Sequence, residues 1–394
     1  MPYTLSNDKP LDIVIYGATG FTGQLVAEYM HAQYANTDVK WAIAGRSADK
    51  LNLIKSQLGL SETLPIIIAD SQDEAALREL VQQTKVVITT VGPYQLYGDT
   101  LVSLCAELGT DYVDLCGEPS WMRQKIDALQ TKAEASGARI VFSCGFDSIP
   151  FDLGVFFLQE HIQQHTGHTF SRVKCRVRAM YGKFSGGTAA SLKATLVAAA
   201  NDPKIMEYLV NPFALANGFT GPEQPAGNQS YFDEALNSWS APFIMATINT
   251  KNIHRSNALL DHLYGKDFVY DEMILTGPGE QGEKMANFVA NDKSLAGKDA
   301  PKPGEGPSKE ERENGNYDIM FIAEENEKQY IASVGGHLDP GYGSTSKMLT
   351  ESAMCLAFDD LATLGGIYTP APAMGEALIK RLIDNAGLYF KIEK

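Results

Sequence analysis

Over the first 145 positions, short apolar runs alternate with stretches of helical periodicity. The run 13–16 (IVIY) leads into a Gly-rich turn at 17–23 (GATGFTG), after which Leu25, Val26, Tyr29 and Met30 fall on one helical face. Five further runs read as strands: 39–44 (VKWAIA), 64–69, 85–91 (KVVITTV), 112–115 and 139–142. Helical stripes lie between them. Ser47 caps one that carries Leu51, Ile54 and Leu58, and Ala75, Ala76, Leu80 and Val81 mark the next. Leu101, Val102, Leu104, Cys105 and Leu108 form another, stopped by Gly109, and Trp121, Lys125, Ile126 and Leu129 the last. Strands alternating with helices in this way predict an α/β fold with a Rossmann-type doubly wound parallel sheet.

The pattern changes after Gly145. Residues 151–163 read as a very apolar helix, and 173–179 (VKCRVRA) alternates apolar with basic, as a strand of a mixed or antiparallel sheet with one wet face does. A second Gly-rich turn, Ser185-Gly186-Gly187-Thr188, opens a helix running to Ala200. The stretch 212–240 reads as loop-rich, and 277–315, which includes KPGEGPSKEEREN, as an exposed loop. Residues 317–323 and 329–334 form a predicted hairpin around EENEK. One helix then runs from Ser344 to Gly365-Gly366 and another over 374–383. The expected division is a nucleotide-binding domain over 1–150 and an inserted α+β substrate and oligomerisation domain over 151–340, with the helices of 341–394 packing back on the first.

Composition narrows the function. A chain of 394 residues has length for two domains, and a formal net charge of −15 with no basic run argues against nucleic-acid binding. Five cysteines with no C-x-x-C pair indicate neither a disulfide framework nor a zinc knuckle and fit a reducing cytoplasm. The first ten residues hold no apolar signal core, and no run approaches the roughly 18 apolar residues that span a bilayer. The expected protein is cytoplasmic, with peripheral membrane contact and a homodimer left open.

The turn 17–23 is spaced G-x-x-G-x-x-G, one residue off the usual dinucleotide fingerprint, but it follows the first strand and opens the first helix. Gly17, Thr19, Gly20, Phe21, Thr22 and Gly23 are the candidate pyrophosphate cradle. An acidic residue at the end of the second strand would bind the ribose hydroxyl of NAD, whereas this chain has Ala44-Gly45-Arg46-Ser47. Arg46 can pair with a 2′-phosphate and lie on adenine, Ser47 can add a hydrogen bond and Lys50 a second charge, which predicts NADP(H). Asp70 is placed to accept from the adenine amino group, and Val91, Gly92 and Pro93 lie where the ribose and nicotinamide belong. Tyr94 and Tyr97 are candidate proton donors, and Cys116 stands in a loop opening on the same crevice. The Ser185 turn can bind a carboxylate or phosphate or can serve as a plain cap. His161, His165 and His168 share helical spacing without an H-E-x-x-H pattern, so no metal is predicted, and no phosphate-loop lysine follows the first turn.

Several segments taken together resemble one family: GATGFTG, AGRS, TTVGPYQLYGDTLVSLCAELGTDYVDLCGE, CGFDSIPFDLG, SGGT and DPGYGSTSKMLTESAMCLA. In this combination and order the chain resembles the saccharopine dehydrogenase-like oxidoreductases, nearest the bacterial branch that includes the trans-acting enoyl reductases. The resemblance implies an N-terminal Rossmann domain, an inserted α+β domain and a nicotinamide cofactor. It further implies one of two activities. Lysine-pathway members make or oxidise a carbon–nitrogen bond, and the enoyl reductases reduce a carbon–carbon double bond in an acyl chain carried by a synthase. The chain shows no obvious arginine cluster for two dicarboxylates. The expected reaction is therefore NADPH-dependent reduction of an enoyl or similarly activated bond in a small-molecule or acyl-carrier-bound, lipid-type substrate. Tyr94, Tyr97 or water would protonate it. An imine-reducing amino-acid dehydrogenase and a non-catalytic NADP-binding scaffold are the alternatives.

Overall fold

The computed structural model describes residues 9–183, 186–216, 218–292, 294, 297, 302 and 304–394. The first half alternates strand and helix. It runs β1 (Leu11–Tyr16), α1 (Phe21–Tyr34), β2 (Trp41–Gly45), α2 (Ala48–Gln57), β3 (Ile66–Ile68), α3 (Glu74–Gln82) and β4 (Thr84–Thr89). There follow α4 (Tyr94–Tyr97), α5 (Asp99–Leu108), β5 (Asp111–Val113), α6 (Pro119–Ser136), β6 (Arg139–Val141) and α7 (Ile149–Thr166). Every residue of β1 and β2 is buried, because helices cover both faces of this sheet, which is why these strands read as continuous apolar runs. Gly109 ends α5 in the left-handed conformation, φ 69°.

The second half comprises β7 (Arg172–Tyr181), α8 (Gly186–Asn201), α9 (Pro203–Val210), β8 (Tyr231–Asp233), β9 (Ser238–Pro242), α10 (Ala246–Leu259) and β10 (Val269–Gly277). It continues with α11 (Gly279–Asn291), α12 (Lys309–Glu313), β11 (Asn316–Glu325), β12 (Lys328–Gly336), α13 (Thr345–Phe358), β13 (Gly366–Tyr368), α14 (Pro370–Arg381) and β14 (Leu388–Ile392).

Two seven-stranded sheets result. The first is wholly parallel in the order β13-β6-β5-β4-β1-β2-β3, the doubly wound arrangement with one strand added from the C-terminal region. The order reverses between β1 and β4, and a ligand crevice belongs at that switch point. The second sheet runs β14-β12-β11-β7-β10-β9-β8, parallel only between β7 and β10. Val173, Cys175 and Val177 of β7 join Ile319 and Phe321 of β11 in a core shared with α7. Helix α13 lies against α1, β4 and β5, so the C-terminal region touches the first sheet as well as lending a strand to each.

Several expectations need correction. The stretch 212–240 holds β8 and part of β9, and 277–315 is not a plain loop. It carries α11, seated because Gly282 has no Cβ to meet the Gly277 carbonyl, and α12, closed by a capping box between Ser308 and Glu311. Residues 293, 295, 296, 298–301 and 303 of that stretch lie outside the described residues, as does Ser185. The helix expected to reach Gly365-Gly366 ends at Phe358.

Helix α10 was not foreseen. It is buried on nearly every side yet is rich in polar residues, so it has no apolar stripe to reveal it. Its polar groups find partners inside. Lys251 Nζ donates to the Leu209 and Thr247 carbonyls at 2.8 and 2.9 Å, and Arg255 donates to the carbonyls of Leu215 and Ile367. The Ser256 hydroxyl donates to Asp152 on α7 at 2.5 Å, and Asp152 also accepts from the amide of Ala371 on α14 at 2.8 Å.

Candidate functional site

The glycines of the first turn act differently from one another. Gly17 is at φ 92°, and a Cβ there would stand 2.7 Å from both Thr90 Oγ1 and Val91 Cγ2. Its amide donates to the Ala44 carbonyl at 2.9 Å, tying the turn to the end of β2. Gly23 brings α1 against the turn, because a Cβ there would lie 2.1 Å from the Gly17 carbonyl oxygen. Gly20 precedes α1, and among the described residues no side chain caps that helix start. Its first-turn amides and the positive end of its dipole thus face the crevice as an anion site.

Arg46 leaves the tip of β2 exposed and forms no ion pair among the described residues. Ser47 accepts from the Lys50 amide at 3.4 Å as the cap of α2, and Lys50 is exposed. Asp70 accepts from the Gln72 amide at 3.0 Å. The buried Tyr16 phenol is pushed up to about 12, chiefly by burial and also by Asp70, against the lowering by Arg46, which places both charges around the same end of the sheet. A Gly-rich turn before a helix start, with a guanidinium at the end of β2 that has no ion pair among the described residues, fits a dinucleotide carrying a 2′-phosphate.

The turn opens on a cavity of about 470 Å³. Its floor is Gly20, Phe21 and Thr22, with Thr90 and Gly92 after β4, Leu115 and Gly117 after β5, and Gly145 to Asp147 after β6. Val91 and Pro93 flank Gly92 in that loop. The second half lines the rest with the apolar Met180, Leu192, Leu209, Ile244, Met245 and Ile248 and the polar Ser191, Thr195, Thr247, Tyr342 and Thr345. Gly187 and Thr188 of the second Gly-rich turn border the cavity too.

A buried carboxylate joins the two walls. Glu118 accepts from the Tyr94 and Gln95 amides at 2.8 and 2.9 Å, and the Ser191 hydroxyl of α8 donates to it at 2.8 Å. Gln95 Nε2 also donates to Thr195 Oγ1 on α8 at 3.2 Å. Asp114 fixes the loops beneath, accepting from the Cys116 and Ser143 amides and from the Tyr112 hydroxyl, each at 2.9 Å. Burial pushes its carboxyl up to about 7. Ser143 is held at φ 61°, a strained setting for serine, with its hydroxyl donating to the Cys116 carbonyl at 2.6 Å.

Neither candidate proton donor is presented to the cavity. Tyr94 borders it with its ring, but its hydroxyl donates to the Thr89 carbonyl at 3.2 Å and accepts from the Leu115 amide at 3.0 Å. Burial lifts its pKa well above the ordinary value, so Tyr94 pins loops together. Tyr97 is 42% exposed and stands outside the cavity wall. The Cys116 and Cys144 thiols are enclosed, burial pushes both well up, and Leu115 and Gly117 on either side of Cys116 line the cavity while Cys116 does not. His161 and His165 stack at 4.0 Å, and His168 meets Glu325 at 2.8 Å.

The residue that sequence reasoning passed over is Asp147. It lies in the cavity wall, its Oδ1 is enclosed with no hydrogen-bond partner among the described residues, and burial pushes its carboxyl up to about 7. Behind it, Glu272 of β10 accepts from Asn249 Nδ2 at 2.9 Å and from the Tyr270 hydroxyl at 3.0 Å. Burial, with the Asp147 charge adding to it, pushes Glu272 up to about 8.

Residues 13–141 match the saccharopine dehydrogenase NADP-binding domain. A putative trans-acting enoyl reductase of Mycobacterium tuberculosis is 40% identical over 95% of this chain and 96% of its own length. A trans-acting enoyl reductase of Mycobacterium ulcerans is 35% identical over 96% of each. Among solved structures, an apo saccharopine dehydrogenase (L-Glu forming) from Saccharomyces cerevisiae aligns over 97% of this chain and 99% of that one, with TM-score 0.51 and 11% identity, a likeness of fold alone.

Proposed function

Since the chain belongs to the saccharopine dehydrogenase-like oxidoreductases, in the branch of the trans-acting enoyl reductases, and is an NADP-dependent oxidoreductase, we propose that it reduces the carbon–carbon double bond of an enoyl thioester or a related acyl substrate. One observation carries the choice of substrate. The second-half lining sets Met180, Leu192, Leu209, Ile244, Met245 and Ile248 among the uncharged Thr188, Ser191, Thr195 and Thr247, and among the described residues its one cation is Lys183, paired with Glu311 at 2.5 Å. Such a wall suits an acyl chain, small or carrier-bound, and lacks the cations that two dicarboxylates would need. The turn 17–23 would hold the pyrophosphate, Arg46 the 2′-phosphate, and the loops after β4, β5 and β6 would enclose the reacting end. When bound, NADPH supplies the hydride. On this reading the first sheet with the packed-back helix α13 is the cofactor-binding unit, and the second sheet with α8 to α10 is the substrate unit.

The test is NADPH consumption with a 2-enoyl N-acetylcysteamine thioester, the saturated thioester forming in equal amount. Oxidation only with keto-acid and amino-acid pairs would replace this reading with an imine reductase. No oxidation with either, despite tight NADPH binding, would leave a scaffold.

Arg46→Ala is expected to weaken NADPH binding about tenfold or more, roughly 1.4 kcal/mol per decade, while NADH binding stays put. Fluorescence titration with both cofactors reads the change. Equal affinity of the parent protein for the two would remove the role given to Arg46.

A further inference from the structure

We propose that Asp147 is the proton donor of this reduction, delivering its carboxyl proton to the carbon next to the substrate carbonyl. The proposal rests on the enoyl reading above. As the hydride forms the new bond at the β-carbon, the π pair of the double bond moves into an enolate. That pair then takes the Asp147 proton at the α-carbon, and Asp147 is left as a carboxylate that regains a proton from water. The atoms balance as one hydride and one proton added across one double bond.

The cavity wall leaves little else for the task. Tyr94 is occupied on both sides of its oxygen, the Tyr342 hydroxyl donates to the Glu305 carbonyl at 3.3 Å, and Lys183 is paired with Glu311. Glu305 is exposed and accepts from the Lys302 amide at 3.0 Å. Asp147 alone combines a place in the wall with an enclosed carboxyl oxygen that no described group engages.

A plain structural duty for Asp147 would be to cap α7, which begins two residues later. The backbone already fills that duty. The Ile149 amide donates to the Gly145 carbonyl at 2.9 Å, and the Phe151 and Asp152 amides donate to the Ser148 carbonyl at 3.1 and 2.9 Å. Pro150 has no amide to satisfy. The loop is instead stiffened from outside: the Phe146 amide donates to Thr345 Oγ1 at 3.0 Å, the Ser148 amide to the Ser143 carbonyl at 3.1 Å, and Asn252 Nδ2 to Ser148 Oγ at 2.8 Å. Bonds on both neighbours, and none from the described residues on Asp147 Oδ1, hold an acid in place without using it.

Its protonation follows from its surroundings. Glu272 from β10 feels the Asp147 charge, and Lys183 and Glu305 line the same cavity. Burial raises the Asp147 carboxyl, and burial with the added Asp147 charge raises Glu272. With its carboxyl pushed up to about 7 by burial, the donor is present below that pH and is lost as pH rises through it. The rate should therefore fall on the alkaline side.

The test uses the full chain and Asp147→Asn, which keeps the side chain's shape and removes a buried acid without a partner, so the variant is expected to fold. With the enoyl N-acetylcysteamine probe, kcat should drop at least about 100-fold while NADPH affinity by fluorescence stays within about twofold. The alkaline limb of the parent should vanish from the residual rate, and Asp147→Glu should restore part of it. Independently of turnover, carbon-13 NMR of the cofactor-free protein labelled at aspartate carboxyls should show a resonance with a midpoint near 7 that Asp147→Asn removes. A parent and an Asp147→Asn variant of equal kcat and pH profile would overturn the donor while the enoyl reading stands. So would an Asp147 resonance titrating in the usual range near 4. A parent inert to the probe would overturn the reading of the substrate and, with it, the step at the α-carbon.

Discussion

Gly23→Ala is expected to weaken NADPH binding by at least about 100-fold in a protein that otherwise folds. The added Cβ would lie 2.1 Å from the Gly17 carbonyl oxygen, 2.8 Å from the Gly17 carbonyl carbon and 2.9 Å from Ala18 Cα. All three are backbone atoms and none can rotate aside. Relief requires α1 to lift from the turn by more than an ångström, and that separates the helix start from the glycines that cradle the pyrophosphate. A loss of at least about 100-fold in affinity, roughly 2.7 kcal/mol, should follow. NADPH at 100 times its Kd should raise the stability of the parent protein by about 2.7 kcal/mol and shift its melting temperature, whereas Gly23→Ala should show little of that shift. Gly20→Ala is the companion variant. Its Cβ would stand 3.3 Å from the same carbonyl oxygen, so a shift of a few tenths of an ångström suffices and a loss of only severalfold is expected. Parent-like affinity in Gly23→Ala would mean that the dinucleotide does not enter through this turn.

How much could be read in the sequence depended on how each element is buried. β1, β2 and β4 were legible because helices cover both faces, and strands in that setting are continuous apolar runs. The turn 17–23 was legible because close backbone approach admits only glycine at particular spacings. α10 and β10 were not, because their interiors are polar. Asn249, Asn252 and Arg255 on the helix and Asp271 and Glu272 on the strand are buried yet contribute nothing to an apolar period. In the site, residue type suggested Tyr94 and Tyr97, but availability of the hydroxyl decides the matter, and it depends on the Thr89 carbonyl and the Leu115 amide. Asp147 was the reverse case. Its sequence position just before a helix suits an ordinary cap, and its distinction is the missing partner, which becomes visible only when neighbouring backbone bonds are accounted for.

The same polar interior makes the second sheet vulnerable, and Asp271→Ala should destabilise it by about 3–5 kcal/mol. Arg176 of β7 has a fully enclosed side chain. Its Nη1 donates to Asp271 Oδ2 at 2.8 Å and its Nη2 to the Tyr231 hydroxyl at 2.8 Å. A guanidinium cannot shed its charge, so removing the carboxylate leaves an uncompensated cation between strands. Arg172 pairs with the other oxygen of Asp271 but is partly exposed, and Arg172→Ala should cost only about 1 kcal/mol or less. Replacing the enclosed pair together, Arg176→Met with Asp271→Leu, should recover most of the loss, because desolvation offsets the attraction of a buried pair. Urea unfolding followed by Trp239 fluorescence, in a background carrying Trp41→Phe and Trp121→Phe, reads this sheet, since β9 carries Trp239 beside β10. β7 also delivers Met180 to the cavity wall, whereas the nucleotide turn hangs from the first sheet. In Asp271→Ala the KM for the acyl thioester should therefore rise several-fold while the Kd for NADPH holds. Equal midpoints for Asp271→Ala and Arg172→Ala would show that the sheet does not depend on the enclosed partner of Arg176.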